Sequence, residues 1–299
     1  MVQTEQVRQR LSALYPDLTT ELLPVVTQGD RFLTDPLYKI GGKALFLKEL
    51  EHMLLEHKAD IAVHSLKDVP ADLPEGLTLS AICKRGDPYD TVVFNQHQEA
   101  QLSLLPKHAL IGTASLRRRA QLLAYRPDLV VQNIRGNINS RLRKLDEGHY
   151  DALVLATVGL DRLSINQDVN PGANQYKTME LPSNIMLPAV GQGAIAIESR
   201  ADDQHSALLV KPLHDSETFL CVSAERLIQA KLNAGCQTPL AAYAEINQYN
   251  HMNIKALVAS EDGKEVVRVE TQGKTTDYQV LAEQLVSQLI AMGAHKLMR

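Results

Sequence analysis

One cysteine in this chain sits where a structural thiol is not expected. The stretch KLNAGCQTPL (231–240) sets Cys236 between a glycine and a glutamine, just past a helix-like run. Cys83 falls instead in a strand-like run and Cys221 on an amphipathic helix, so both read as core. A buried thiol behaves as a small hydrophobe, whereas an exposed one is reactive. Cys236 is therefore either incidental or a point of attachment. A second candidate is AVHSLKDVP (62–70), where a strand-like run ends in Lys67 and Asp68 and Pro70 stops the ladder. A carboxylate beside a cation can hold a cationic intermediate or move protons in a cleft. The plain alternative is a solvated Lys–Asp pair in a turn.

Two further stretches carry arginines at helix starts. In IGTASLRRRAQLL (111–123) a strand runs into Gly112, and Thr113 and Ser115 lead into a helix with Arg117, Arg118 and Arg119 in its first turn. In NIRGNINSRLRKL (133–145) Arg135 and a glycine turn precede a helix with Arg141 and Arg143. Cations in a first turn oppose the helix dipole, so the pattern asks for a compensating anion, and guanidinium groups grip carboxylates bidentately. The competing reading is a basic, solvated face. Taken together, the two sites describe a cleft for a ligand bearing several carboxylates. Phosphate fits less well, because no glycine-rich P-loop occurs. YKIGGKALF (38–46) places Lys39 and Lys43 around a Gly-Gly, either as a lid over an acidic ligand or as a plain basic loop. His64 and His108 lack metal-ligand spacing, so no metal site is expected.

The elements that must position these residues follow from periodicity. Apolar, β-branched runs predict strands at 59–65, 77–84, 90–95, 109–115, 129–134, 151–157 and 194–199. Helical spacing predicts helices at 43–57, 115–126 and 137–148, an alternation that indicates α/β domains. From about residue 206 a long helix (216–233), an antiparallel sheet and a last helix around 277–298 read as a separate α+β unit. Residues 164–188 are polar and Pro/Gly-bearing and read as a long connection or a small excursion. A net charge of −4 and scarce aromatics argue against a general nucleic-acid binder. No CxxC pair, signal-like start or membrane-length apolar run occurs, which predicts a soluble, cytoplasmic protein with no membrane partner.

Read in order, VTQGD, KIGGK, ADIAVHSLKDVP, SLRR, IRGN, LPAVGQGA and AGCQ closely resemble the porphobilinogen deaminase (hydroxymethylbilane synthase) family over nearly all of residues 3–240. The resemblance implies two periplasmic-binding-protein-like α/β lobes plus a C-terminal α+β domain. Domain 1 would comprise 1–84 and 189–204, domain 2 85–188, and domain 3 205–299. It implies a monomer that condenses four porphobilinogen units, with loss of ammonia, into 1-hydroxymethylbilane. It also implies a dipyrromethane cofactor held by a thioether on Cys236, which would answer the question that cysteine raises. By the same resemblance Asp68 matches the catalytic carboxylate, and Lys67, Thr113, Ser115, Arg117 and Arg118 match cofactor-binding positions. Arg135, Arg141, Arg85, Arg162 and Gln192 match substrate-binding positions. Lys39 and Lys43 fall in the active-site loop, with Gly191 and Gly193 as hinge.

The chain departs from the family pattern at its start. The family opens on a strand reading roughly IATRxSPLALWQ, whose Arg and Ser contact cofactor and substrate, and Gln3 aligns with its last residue. The expectation is a misassigned start, with a truncation or a degenerate paralogue as competing readings. With the given start real, weak activity and poor stability are expected. The alternative function is then an inactive two-lobe protein that only binds anions.

Overall fold

A computed structural model describes residues 2–25, 44–163, 176–235 and 238–298. In chain order its first elements are α1 (Val2–Leu14), α2 (Ala44–Leu55), β1 (Ile61–Ser65), β2 (Leu77–Ile82), β3 (Asp90–Phe94) and β4 (Leu110–Gly112). They are followed by α3 (Leu116–Tyr125), β5 (Val130–Gln132), α4 (Ile138–Asp146), β6 (Ala152–Ala156), α5 (Thr157–Arg162) and β7 (Lys177–Leu181). The remainder comprises β8 (Ile195–Arg200), α6 (Gln204–Val210), α7 (Ser216–Lys231), β9 (Leu240–Ile246), β10 (His251–Ala259), β11 (Val266–Lys274) and α8 (Tyr278–Ala291). The chain forms two compact units, Met1–Gly86 with Gly193–Ser223, and Asp87–Gln192 with Ala224–Arg299.

In the first unit β1 and β2 pair antiparallel with β8 between them. Alternation sorts the side chains onto two faces. Val7 and Leu11 of α1, one helical turn apart, pack with Ile61, Val63, Ile195 and Ile197. On the opposite face Leu47 of α2 packs with Leu66, Ile82 and Ala196, and Leu54 packs with Ala62 and Leu77. Both faces are covered, so every residue of the central strand β8 is buried. The sequence reading assigned no structure to the segment that forms α1.

The second unit holds a five-stranded sheet in the order β5-β4-β6-β3-β7. β4 runs parallel to β5 and β6, while β3 is antiparallel to β6 and β7. Val92, Phe94, Ala152 and Val154 face one side with Leu122 of α3, and Val93, Leu153 and Leu155 face the other with Leu142 and Leu145 of α4. Strand β7 lies within 164–188, where the sequence reading expected a long connection or a small excursion and named no strand. Its KTMEL sequence is half exposed because it borders the sheet, and edge strands carry polar residues that hide their strand character.

The antiparallel meander β9–β11 belongs to the same unit, with β10 in the centre. Ala241, Leu257 and Ala259 pack against Ala120 of α3 and Leu187. The final helix stops short of its predicted end, at Ala291 ahead of Gly293. Gly263, in the β10–β11 turn, has φ +71°, and a Cβ there would lie 2.4 Å from the Ala120 carbonyl oxygen and 2.5 Å from the Ala124 nitrogen of α3. Backbone atoms cannot yield as side chains can. Gly263→Ala is therefore expected to destabilise the protein by about 1–3 kcal/mol, read as a lower midpoint in urea unfolding.

Candidate active site

The first turn of α3 organises the second unit's polar centre. Ser115 is the N-cap, and its side chain accepts from the Arg118 N–H at 3.4 Å. The Thr113 hydroxyl accepts from the Ser115 N–H at 3.2 Å, and the Thr113 N–H donates to the Gln132 carbonyl at 2.9 Å. These bonds tie the helix start to the ends of β4 and β5, as capping by small hydroxyl residues predicts. They send Arg117 and Arg118 inward, where both are buried.

The two guanidinium groups meet Asp90, the fully buried first residue of β3. Arg118 donates from Nε at 3.0 Å and from Nη2 at 2.7 Å to Asp90 Oδ1, and from Nη1 to the Val154 carbonyl at 2.9 Å. Arg117 Nη1 donates to Asp90 Oδ2 and to the Leu187 carbonyl, each at 2.7 Å. Gln192 Nε2 donates to Asp90 Oδ1 at 2.9 Å and to the Pro88 carbonyl at 2.7 Å. Gln121 fixes the Leu187 backbone from both sides, accepting at 2.7 Å and donating at 3.1 Å. The anion that the arginine-rich first turn demands is thus in part the protein's own, supplied by a strand 27 residues upstream.

Two cations on one carboxylate leave one positive charge over. Burial pushes the Asp90 carboxyl up, but Arg117 and then Arg118 outweigh it and hold it well below the ordinary carboxylate range. Burial pulls the Arg117 guanidinium down, with Asp90 opposing. Its Nε is buried without a hydrogen-bond partner among the described residues.

The second arginine site adds to this excess. Asn137 caps α4 by accepting from the Ser140 N–H at 2.9 Å. Gly136 before it has φ +104°, and a Cβ there would come within 2.0 Å of Ser140 Oγ, so the turn requires glycine. Arg141 folds back on this turn, its Nε donating to the Gly136 carbonyl at 2.8 Å. Burial, and then the charge of Arg118, pull its guanidinium down to about 10. No carboxylate among the described residues is within ion-pair distance of Arg141. Arg135, two residues before the cap, is half-buried.

In the first unit Lys67 and Asp68 sit in a single 3₁₀ turn directly after β1, both half-buried, between the buried side chains of Leu66 and Val69. The Leu66 N–H donates to the Ala194 carbonyl at 3.0 Å, and the Val69 N–H to the Leu66 carbonyl at 3.0 Å. Upstream on β1, His64 is not a bystander in the core. Its Nε2 lies 2.9 Å from Glu198 Oε2 of β8, and both side chains are buried. Glu51 of α2 is buried on the same face, its carboxyl raised by burial and then by the charge of Glu198. A carboxyl raised in the folded state stabilises the fold while protonated. That contribution is complete below about pH 4.5, the ordinary glutamate value, and is lost as pH rises through the folded value. Glu51→Gln should therefore raise Tm at pH 8 and leave it unchanged at pH 4, read by thermal melts at both values.

Known proteins match this chain along its length. Residues 1–207 match the family described as "Porphobilinogen deaminase, dipyromethane cofactor binding domain", and residues 219–291 match "Porphobilinogen deaminase, C-terminal domain". The porphobilinogen deaminase of Legionella pneumophila strain Philadelphia 1 is 45% identical over 296 residues, covering 99% of this chain and 93% of its own. The chain belongs to the porphobilinogen deaminase family. The enzyme of Legionella pneumophila strain Paris is 44% identical over the same shares. Among solved structures, the Bordetella pertussis BvgS periplasmic VFT2 domain superposes weakly, with a TM-score of 0.40 and 16% identity over 74% of this chain and 82% of that one.

The activity of a porphobilinogen deaminase is that of hydroxymethylbilane synthase, a transferase of tetrapyrrole biosynthesis. The dipyrromethane-binding match covers the residues that carry both arginine sites and Asp68. The excess of positive charge at the arginine sites fits a ligand that bears several carboxylates. No helix among the described residues is long and apolar enough to cross a membrane. Of the remaining sequence-assigned residues, Arg85 is half-buried in the first unit, where its N–H donates to Thr218 Oγ1 at 3.0 Å. Arg162 ends α5, and Gln192 is 1% exposed. Lys39, Lys43 and Cys236 lie outside the described residues.

Sequence reasoning missed Asp90, Glu198 and Glu51. The signal for Asp90 was available in DTVVF: an acidic residue opening a strand that is otherwise apolar must find a partner when buried.

Proposed function

We propose that this deaminase carries dipyrromethane through a thioether on Cys236, with Asp68 as the catalytic carboxylate and the Arg118–Arg141 site holding pyrrole carboxylates. When bound, the cofactor supplies the nucleophilic pyrrole carbon from which the chain is built. The chain's own residues do the rest. Asp68, beside Lys67 at the end of β1, is suited to stabilise positive charge on pyrrole nitrogens and to take or give a proton there. Arg118 and Arg141 supply cationic donors for the acetate and propionate groups, with Thr113, Ser115, Arg117 and Arg135 alongside. Arg85, Arg162, Lys39 and Lys43 are further substrate contacts in this reading, while Gln192, 1% exposed, holds Asp90 rather than the substrate.

The observation that carries the reading is the excess of positive charge: Arg117 and Arg118 share the single carboxylate of Asp90, and burial, then the charge of Arg118, pull the Arg141 guanidinium down to about 10. A site that repels its own cations binds anions well, and each pyrrole unit added brings two more carboxylates. The three-domain division, with domain 3 presenting Cys236, belongs to the same proposal, as do a monomeric state and a cytoplasmic location.

Intact mass of the purified chain, before and after exposure to porphobilinogen, tests the reading. A covalent increment equal to dipyrromethane is expected, together with heavier species spaced by single pyrrole units. A bare mass under both conditions would overturn attachment.

A further inference from the structure

We infer that Asp90 is a positioning residue for the deaminase: it presents Arg117 and Arg118 in fixed orientation to the carboxylates of the pyrrole chain and ties Gln192 to them. The inference rests on the proposed role of the arginine site. Asp90 is fully buried and touches no solvent, so it is not itself a ligand contact. Its two oxygens serve three side chains. Oδ1 takes Nε and Nη2 of Arg118 and Nε2 of Gln192, and Oδ2 takes Nη1 of Arg117.

A long guanidinium side chain at a ligand site otherwise samples many rotamers, and ordering it opposes binding. Here Asp90 orders both guanidinium planes before any ligand arrives. The Val154 and Leu187 carbonyls occupy one further donor on each arginine, which narrows the directions in which the remaining N–H groups can point. Asp90 also sets the charge. With it the cluster holds one net positive charge; without it two buried guanidinium groups would repel each other and Arg141. The charge count alone could be met by losing either arginine. The geometry cannot, because only a carboxylate at the start of β3 receives Arg117, Arg118 and Gln192 together.

The test uses Asp90→Asn, which keeps shape and removes charge, beside Arg118→Gln and the double variant. The readouts are covalent dipyrromethane occupancy by intact mass, KM and kcat for porphobilinogen, Tm, and the rise in Tm that citrate, a tricarboxylate probe, produces. A positioning role predicts that Asp90→Asn lowers cofactor occupancy and raises KM by about tenfold or more, with kcat per loaded chain nearly retained. In the Arg118→Gln background the further rise in KM should largely disappear, because both substitutions act through one group.

A purely structural role predicts a lower Tm with occupancy and KM as in the parent, and that result would overturn the inference. So would a full rise in KM on top of Arg118→Gln. If Asp90→Asn fails to fold, Asp90→Asn with Arg117→Gln restores the parent's net charge. That variant is expected to fold yet still load poorly compared with Arg117→Gln alone, and equal loading would overturn the inference. If the parent itself neither loads nor turns over porphobilinogen, the deaminase reading of the site fails. Asp90 is then judged by citrate, whose stabilisation of the parent should be absent in Asp90→Asn; equal stabilisation of both would refute the positioning role.

Discussion

Asp68→Ala is expected to lower kcat for porphobilinogen consumption by about 10²–10⁴-fold, the range that a positioned acid–base group contributes. The carboxylate sits in a single turn whose backbone is held independently of it. Leu66 N–H bonds to the Ala194 carbonyl, Val69 N–H bonds to the Leu66 carbonyl, and the flanking Leu66 and Val69 side chains are buried. The alanine variant should therefore fold, and its loss should appear in turnover rather than in Tm. Because the residue is also proposed to stabilise positive pyrrole nitrogens, Asp68→Asn should lose nearly as much, since it keeps the shape but neither the charge nor the base. Steady-state rates for both variants, with melts run in parallel, check this. Turnover within a few fold of the parent would remove Asp68 from the mechanism.

Cys236→Ser should carry no covalent pyrrole and show no sustained turnover. The thiolate is the reactive species of cysteine, and a serine hydroxyl ionises far less readily and is the weaker nucleophile. The remaining thiols offer no substitute, because Cys83 is 1% exposed and Cys221 6% exposed. The contrast sharpens the experiment: a covalent increment surviving in Cys236→Ser would place the attachment on another residue and remove the role assigned to this loop. The same sample tests the arginine site separately, because non-covalent retention of porphobilinogen would still report on carboxylate binding.

Much of the positioning scaffold was legible in the chain. The strand-like runs around 61–65, 90–94 and 152–156 were legible because they are short and largely apolar, and every residue of the last two is buried. The starts of α3 and α4 were legible because Ser115 and Asn137 cap locally, within three residues of the N–H groups they accept. Helix α1 was passed over because its apolar face is thin, with only Val7 and Leu11 buried. Strand β7 was passed over because it is polar at a sheet border.

The sequence by itself determined the family, the cysteine available for attachment, the Lys67–Asp68 pair and the arginine-bearing helix starts. Each of these is a local pattern of residue types at short spacing. Tertiary structure alone decided which charges meet. Asp90 reaches Arg117 and Arg118 across 27 and 28 residues, and His64 reaches Glu198 across 134. The apolar run after Asp90 marks it for burial, but nothing local names the partners that Asp90 or Glu198 will meet. Strand order and register bring them to buried positions, and burial turns an ordinary carboxylate into one that must be paired and can orient its partners.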